Sequence, residues 1–392
     1  MFEGQVKVTS QSMPSRLVVL TRPRNNLNLW NCYTNVPTPM SFIARNVFPP
    51  IPSLPRSYFL GHHKSGLSKM KQLLTSIDLV IECRDYRVPL TSRNPLFEKA
   101  LEGKERVIVY TKRDLGGGPR DQKNEELIRG WHKGSTVMFV RNGEEERENR
   151  KATGRVLEVL REHAEKRWKL VGHRVMVVGM PNVGKSTLLN ALRGLGLGKG
   201  KVARTGAQPG VTRKIGSGVK IIPSEDDVTQ GKGERGVGGG VYLLDTPGVF
   251  IPYVPDAEAM MKLALCGSVK DTIISPVVLA DYLLFHMNLV DPKLYADYTP
   301  GPTNDIVELL ELIAKRTGRF GKGGKTDHEA TALWMIQKWR RGEMGRFVFD
   351  RVDEEGLMKA RLEEEEMQPS MNQARKMERE RRRARNIARG ES

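Results

Sequence analysis

Gly179-Met-Pro-Asn-Val-Gly184-Lys185-Ser186 fits G-x-x-x-x-G-K-[ST], the loop that cradles the phosphates of a nucleoside triphosphate. Its glycines let backbone N–H groups turn toward an anion, and a helix starting there adds the positive end of its dipole. Asn182, Val183, Gly184, Lys185, Ser186 and Thr187 are therefore candidate nucleotide-binding residues. Lys185 would neutralise the β- and γ-phosphates during hydrolysis, and Ser186 would place its hydroxyl on Mg²⁺. Downstream, Asp245-Thr-Pro-Gly248 supplies an acid at the end of an apolar run, suited to face Mg²⁺. Gly248 would let a backbone N–H approach the γ-phosphate. Alone this tetrapeptide is an ordinary turn; after a phosphate loop it is more than that. Between the two lies Gly206-Ala-Gln-Pro-Gly-Val-Thr212. Thr212 is the candidate for the switch threonine that closes on Mg²⁺, with Thr205 its competitor, and spacing leaves the choice open.

A second site is needed to choose the base. Guanine offers two adjacent donors that one carboxylate can accept together, whereas adenine offers the opposite pattern. Thr111-Lys112-Arg113-Asp114 directly follows an apolar run, Arg106 to Tyr110. Asp114 would read the base while the stem of Lys112 lies along the purine face. Lys-x-x-Asp is common in loops; its place after an expected strand is what raises it.

The elements that must hold these loops follow from hydrophobic periodicity. Short apolar runs at 78–83, 106–110, 174–179 and 241–245 read as strands, and Leu67 to Ile77 and Ala152 to Lys166 as helices between them. Nearly continuous apolar strands separated by helices predict an α/β fold with a predominantly parallel sheet covered on both faces. Ser224 to Gly240, polar and rich in glycine, reads as a flexible insertion without chemistry. Beyond Gly248, apolar residues recur at helical spacing in 257–270, 277–287, 306–317 and 328–341, which predicts a small α-helical domain from about Ile274. The organisation expected is an extension over 1–57, a nucleotide-binding domain over 58–273, a helical domain over 274–350 and a charged, basic tail over 351–392.

With 392 residues, 39% hydrophobic and 28% charged, the chain is long enough for two domains and a sizeable core. No apolar run approaches the roughly 20 residues of a membrane span. The formal charge of +18 points to a polyanionic partner, most simply nucleic acid. Cys32, Cys83 and Cys266 share no motif, which argues against a disulfide framework or a zinc site. Up to Arg56 the only acid is Glu3, among many Arg, Ser and Pro, the composition of an organellar targeting segment; Met40 is a second potential start. The arm from Arg375 to Arg389 would add salt-dependent, sequence-blind affinity for nucleic acid.

The base-reading motif precedes the phosphate loop, the reverse of the usual order. In this the sequence resembles the circularly permuted GTPases that assist ribosome assembly, nearest the branch of bacterial large-subunit assembly GTPases and their mitochondrial ribosome-associated counterparts. Tyr58-Phe-Leu-Gly-His-His63, Asp85-Tyr-Arg-Val-Pro-Leu-Thr-Ser-Arg-Asn-Pro95, Gly267-Ser-Val-Lys-Asp271, Gly321-Lys-Gly-Gly324 and Gly345-Arg-Phe347 carry the likeness with the three nucleotide motifs, over about three-quarters of the chain. The resemblance implies a P-loop NTPase fold of permuted motif order and a Mg²⁺-dependent GTPase. Its GTP/GDP cycle would work on the mitochondrial large ribosomal subunit and its rRNA, in the matrix, with peripheral association at the inner membrane. It also favours Thr212 as the switch threonine and implies K⁺, held partly by Asn182. Where an ordinary GTPase orients the attacking water with Gln, this chain has Val249, Phe250 and Ile251. The resemblance gives that task to His62, with His63 next in line. Three departures stand out. Thr111 replaces the usual Asn that bridges base loop to phosphate loop, so guanine affinity is expected to be weaker; Leu60 replaces a Pro; and Phe139-Val-Arg-Asn142 stands where a serine-rich second base motif belongs.

In the helical domain, Lys315, Arg316, Arg319, Lys322 and Lys325 beside glycines, and Lys338, Arg340, Arg341 and Arg346, are expected to meet RNA phosphates, while Trp334 and Trp339 read as core. GTP would favour the subunit-bound state, and hydrolysis would release the protein. The competing possibilities are a non-hydrolysing RNA-binding scaffold, an ATPase (given Thr111) and a translation-associated regulator.

Overall fold

The apolar runs become the middle of one sheet. Its strands are β1 (Leu79–Asp85), β2 (Arg106–Thr111), β3 (Thr136–Phe139), β4 (His173–Gly179), β5 (Val219–Ile222) and β6 (Val241–Asp245). Their order is β3-β2-β1-β4-β6-β5, every pairing parallel except β5 with β6. β1 is buried along its whole length, as a strand covered on both faces must be. The computed structural model describes residues 42–50, 70–94, 98, 100–117, 121–141, 146–200, 218–228, 235–246, 248, 254, 256–366 and 379. Contacts divide the chain between Phe42 and Ile43, and the sheet and helices belong to the unit from Ile43 onward.

Helices α1 (Asp121–Trp131), α2 (Glu146–Lys166) and α3 (Lys185–Leu197) alternate with these strands. They are followed by α4 (Ala257–Leu265), α5 (Pro276–Val290), α6 (Ile306–Thr317), α7 (His328–Arg340) and α8 (Glu354–Glu366). Local chemistry explains several boundaries. Asp256, Asp305 and Asp327 cap α4, α6 and α7 by accepting backbone N–H groups. A proline opens α5, and Gly318 in the left-handed region closes α6. One hydrophobic cluster runs from Leu79 and Val177 of the sheet through Met261 and Leu283 to Ile336, Trp339 and Phe349. Ile274, where a second domain was expected to begin, is itself inside that cluster. No helix among the described residues is long and apolar enough to cross a membrane.

The structure departs from the sequence expectations in several places, among them helices α1 and α8, which those expectations leave unmarked. Strands β3 and β5 carry too few residues to show a pattern; β3 is largely half-buried, and β5 is an edge strand. Arg45 and Phe48, placed in the N-terminal extension, pack against α5: Arg45 pairs with Asp281 at 2.6 Å, and Phe48 sits edge-on to Tyr282 with ring centroids 5.1 Å apart. The described ends of the Ser224–Gly240 stretch are ordered too. Asp227 accepts from both the backbone and hydroxyl of Ser224, Val237 is buried, and Gly239 donates to the Lys169 carbonyl at 2.9 Å. Cys83 and Cys266 are free thiols, buried and pushed up to about 12 by that burial. Residues 1–41, among them Cys32 and Met40, and the tail beyond 366 except Arg379 lie outside the described residues.

Candidate functional site

Sheet register brings the loops together. Asp85 lies opposite Thr111, Cys83 opposite Gly179 and Val177 opposite Asp245, so β1, β2, β4 and β6 end at one edge. Ligands bind at the carboxyl ends of strands in such sheets. There the chain leaves β4, turns through 180–184 and enters α3. Lys185 is buried, and its ammonium donates to the carbonyls of Gly179 (3.2 Å) and Met180 (2.8 Å). Burial lowers its pKa and the carboxylate of Asp245 opposes that shift. The Ser186 hydroxyl donates to Asp245 Oδ2 at 2.6 Å. Asp245 Oδ1 is buried without a hydrogen-bond partner. A hydroxyl beside a carboxylate with an orphaned oxygen is a donor set that fits Mg²⁺. Gly248 lies against the phosphate loop: a Cβ there would stand 2.5 Å from Pro181 Cα, so any larger residue must push the two loops apart. Thr187 is exposed one position further along α3.

The base turn closes onto this loop. Thr111 is buried and its hydroxyl faces two carbonyls, Arg84 O at 3.1 Å and, much nearer, Val183 O of the phosphate loop. Thr111 therefore makes the bridge expected of an asparagine. Lys112 donates to Asn182 O at 2.5 Å and to Asp85 Oδ2 at 2.9 Å. Lys112 and Asn182, both at φ 56°, are the positive-φ non-glycine residues among the described ones, and they face each other across the site. Such conformations persist where the surroundings enforce them, typically at functional sites. Asp114 follows in the 3₁₀ turn Arg113–Leu115, half-buried. Beside it, Val140 accepts from Arg113 N at 3.1 Å, so the end of β3 forms the neighbouring wall. His62, His63, Thr205, Thr212 and Asn142 lie outside the described residues.

Residues 174–313 match the family model described as 50S ribosome-binding GTPase. Mitochondrial GTPase 1 of Schizosaccharomyces pombe is 34% identical over 336 residues, 81% of this chain and 96% of its own length. The chain belongs to the mitochondrial GTPase 1 family. It is a GTPase with its base motif ahead of its phosphate loop. Mitochondrial ribosome-associated GTPase 1 of Mus musculus is 38% identical over 308 residues, 75% of this chain and 90% of its own. Among solved structures, GNP-bound YlqF from T. maritima is more distant: 24% identity over 73% of this chain and 97% of that one, with a TM-score of 0.47.

In this GTPase, residues that the nucleotide motifs did not mark complete the site. Arg87 grips Asp85 with two hydrogen bonds, 3.0 and 2.8 Å, and both are buried. Burial alone would raise the Asp85 carboxyl; Arg87 and Lys112 outweigh it and hold the group well below the usual carboxylate range. Asn182 Nδ2 donates to Gly267 O at 2.8 Å, and the Ser268 hydroxyl donates to Pro181 O at 2.9 Å. Both runs, 85–95 and 267–271, stood out in the sequence without a role attached. In the helical region Trp339 is core, as expected, whereas Trp334, also expected in the core, is half-buried at its edge. The basic residues expected on the RNA face divide into surface and inward-turned ones. Of these, among the described residues, only Arg340 turns inward, to Asp271 at 2.6 Å; Lys338 and Arg341 stay at the surface, where they pair with Glu343.

The bridge sets a testable demand. Thr111→Val keeps the shape but leaves the Val183 carbonyl without its donor, a loss of about 1–3 kcal/mol when buried. GDP affinity should fall severalfold with little change in ATP rejection, because Asp114 is untouched; calorimetric titration with GDP and ATP checks both.

Proposed function

We propose that this GTPase works on the mitochondrial large ribosomal subunit in the matrix, peripherally at the inner membrane, and that it contacts rRNA through its helical region. The observation that carries the nucleotide half is the closure of Thr111 and Lys112 onto the phosphate loop beside the Ser186–Asp245 pair. Lys185 and the backbone of 180–184 bind and orient the phosphates, and Asp114 selects guanine. Ser186 and Asp245 would hold Mg²⁺ together with Thr212. When bound, the ion supplies positive charge against the charge that develops on the phosphates. Asn182, its amide oriented by Gly267, would hold K⁺, and His62 would orient the attacking water.

The RNA half is supported by charge and by aromatic groups placed together. Lys315, Arg316 and Lys325 are exposed. Arg319 lies 5.0 Å and Lys338 5.6 Å from the half-buried ring of Trp334, and Arg316 lies 5.9 Å from Tyr298. Cations held over partly exposed rings suit stacked bases flanked by phosphates. The name of the Mus musculus relative, a mitochondrial ribosome-associated GTPase, points to the same partner.

Phosphate release from GTP and ATP, with and without purified mitochondrial large subunits in K⁺ buffer, tests the whole. Slow turnover of GTP alone, accelerated by the subunits by about tenfold or more, is the expected result. Turnover indifferent to subunits would remove the partner, and equal turnover of ATP would remove the base assignment.

A further inference from the structure

The C-terminal end of α4 is where three parts of the molecule meet. Its last turn closes as a Schellman motif, Ser268 N to Leu263 O and Gly267 N to Ala264 O, both at 2.9 Å, with Gly267 at φ 80°. The outer carbonyls are then taken by side chains from elsewhere. Arg340 donates to Ala264 O and Leu265 O, both at 2.8 Å, and forks onto Asp271 at 2.6 and 3.1 Å. Arg87 reaches Cys266 O at 3.4 Å while its guanidinium lies 4.8 Å from the ring of Trp339. Asn182 of the phosphate loop takes Gly267 O. Trp339 and Arg340 end α7; Asp85, gripped by Arg87, holds Lys112 of the base turn. The partial negative charge at the end of α4 is thus shared among α7, the turn after β1 and the phosphate loop.

We propose that Arg340 is a positioning residue for the nucleotide site. It fixes the 264–271 turn so that Gly267 presents its carbonyl to Asn182, and so couples the helical region to the phosphate loop. The proposal rests on guanine nucleotide binding at the phosphate loop. A guanidinium is required because one planar fork must reach two carbonyls and a carboxylate together; lysine offers only a point charge. Gly267 fits the same logic. A side chain at φ 80° is strained, and its Cβ would lie 3.5 Å from Asn182 Nδ2 and 3.6 Å from Arg340 Cζ, in the gap between the two. If RNA binding shifts α7, Arg340 is the contact through which the shift reaches Asn182.

The test is a double-mutant cycle of Arg340→Lys with Asn182→Ala, read as the Kd for a fluorescent GDP in the full-length chain. Arg340→Lys should weaken GDP about fivefold with Asn182 present, within the range of measured site-to-site couplings, and have no further effect once Asn182 is alanine. A residue that merely supports the fold would lower the thermal midpoint and leave the Kd of the folded fraction alone. An unchanged Kd in Arg340→Lys, or the same fold-change in both backgrounds, overturns the proposal. Should Arg340→Lys fail to fold, Asp271→Asn, which loosens the fork and keeps both carbonyl bonds, must give a smaller shift of the same kind; no shift there overturns it equally. A wild-type chain that binds no fluorescent GDP would instead refute the nucleotide assignment beneath it.

Discussion

Lys185→Ala should remove at least about two-thirds of the thermal stabilisation that GTP confers and leave the nucleotide-free protein about as stable as before. In the structure the Lys185 ammonium is buried, and its hydrogen-bond partners are two loop carbonyls, Gly179 O and Met180 O. Burial lowers its pKa, which shows that the charge is held there against a desolvation penalty. Truncation removes that penalty but leaves two carbonyls without a donor. The opposing effects are each about 1–3 kcal/mol, so the free protein should change little. With nucleotide bound the balance differs. The ammonium would face phosphate oxygens, and truncating one partner of a buried charged pair costs about 2–5 kcal/mol, or more than about 30-fold in affinity. A ligand at 100 times its Kd stabilises by about 2.7 kcal/mol; after a loss of about 30-fold or more, the same GTP concentration stabilises the variant by about 0.9 kcal/mol or less, a third of the shift at most. Thermal unfolding with and without GTP measures this directly. Equal shifts for wild type and variant would mean that Lys185 does not meet the phosphates.

The phosphate site was legible because its motif is local: strand, loop and helix are consecutive in sequence, and 179–186 carries its own geometry. Apolar spacing placed helix 306–317 to the residue, with Asp305 and Gly318 at its ends, whereas α1 and α8 had gone unmarked. The contacts that complete the site were not legible, because they are long-range. Asp85 and Arg87 in an apolar strand and the turn after it give no local sign that they will pair with each other and with Lys112, 27 residues away from Asp85. Thr111 looked like a weakened base motif when compared with asparagine. Only the approach of Val183 across 72 positions reveals that a shorter side chain still spans the gap. Arg340 is the opposite error. In a run of basic residues it passed for an RNA contact, since composition cannot tell an outward guanidinium from one that caps another helix. Strands β3 and β5, with four residues each, fall below the length at which alternation can be recognised.

Asp85→Asn should be among the most destabilising single substitutions in the sheet, because it strands two cations at once. Arg87 has a side chain 2% exposed and Lys112 one 15% exposed, and both rely on the Asp85 carboxylate. Asparagine is isosteric and keeps an acceptor, but it neutralises the charge and turns one donor toward the guanidinium. Breaking a buried pair in this way costs about 3–5 kcal/mol, far more than the pair adds over an apolar replacement of the whole set. The midpoint of urea unfolding should fall without a change in slope. The pH dependence gives the effect a signature that a packing defect lacks. Burial would raise the Asp85 pKa, but Arg87 and Lys112 reverse the sign and hold it below its ordinary 3.8. A depressed carboxylate contributes stability that is fully present above its unfolded value and is lost as pH falls through the folded one. The gap in stability between wild type and Asp85→Asn should therefore be constant from about pH 8 to pH 5 and narrow below about pH 4, where the unfolded wild-type chain takes up a proton that the native carboxylate resists. A gap that stays constant through that acid range would mean that the loss at Asp85 is steric, and that the Arg87–Asp85–Lys112 cluster does not hold the base turn by charge.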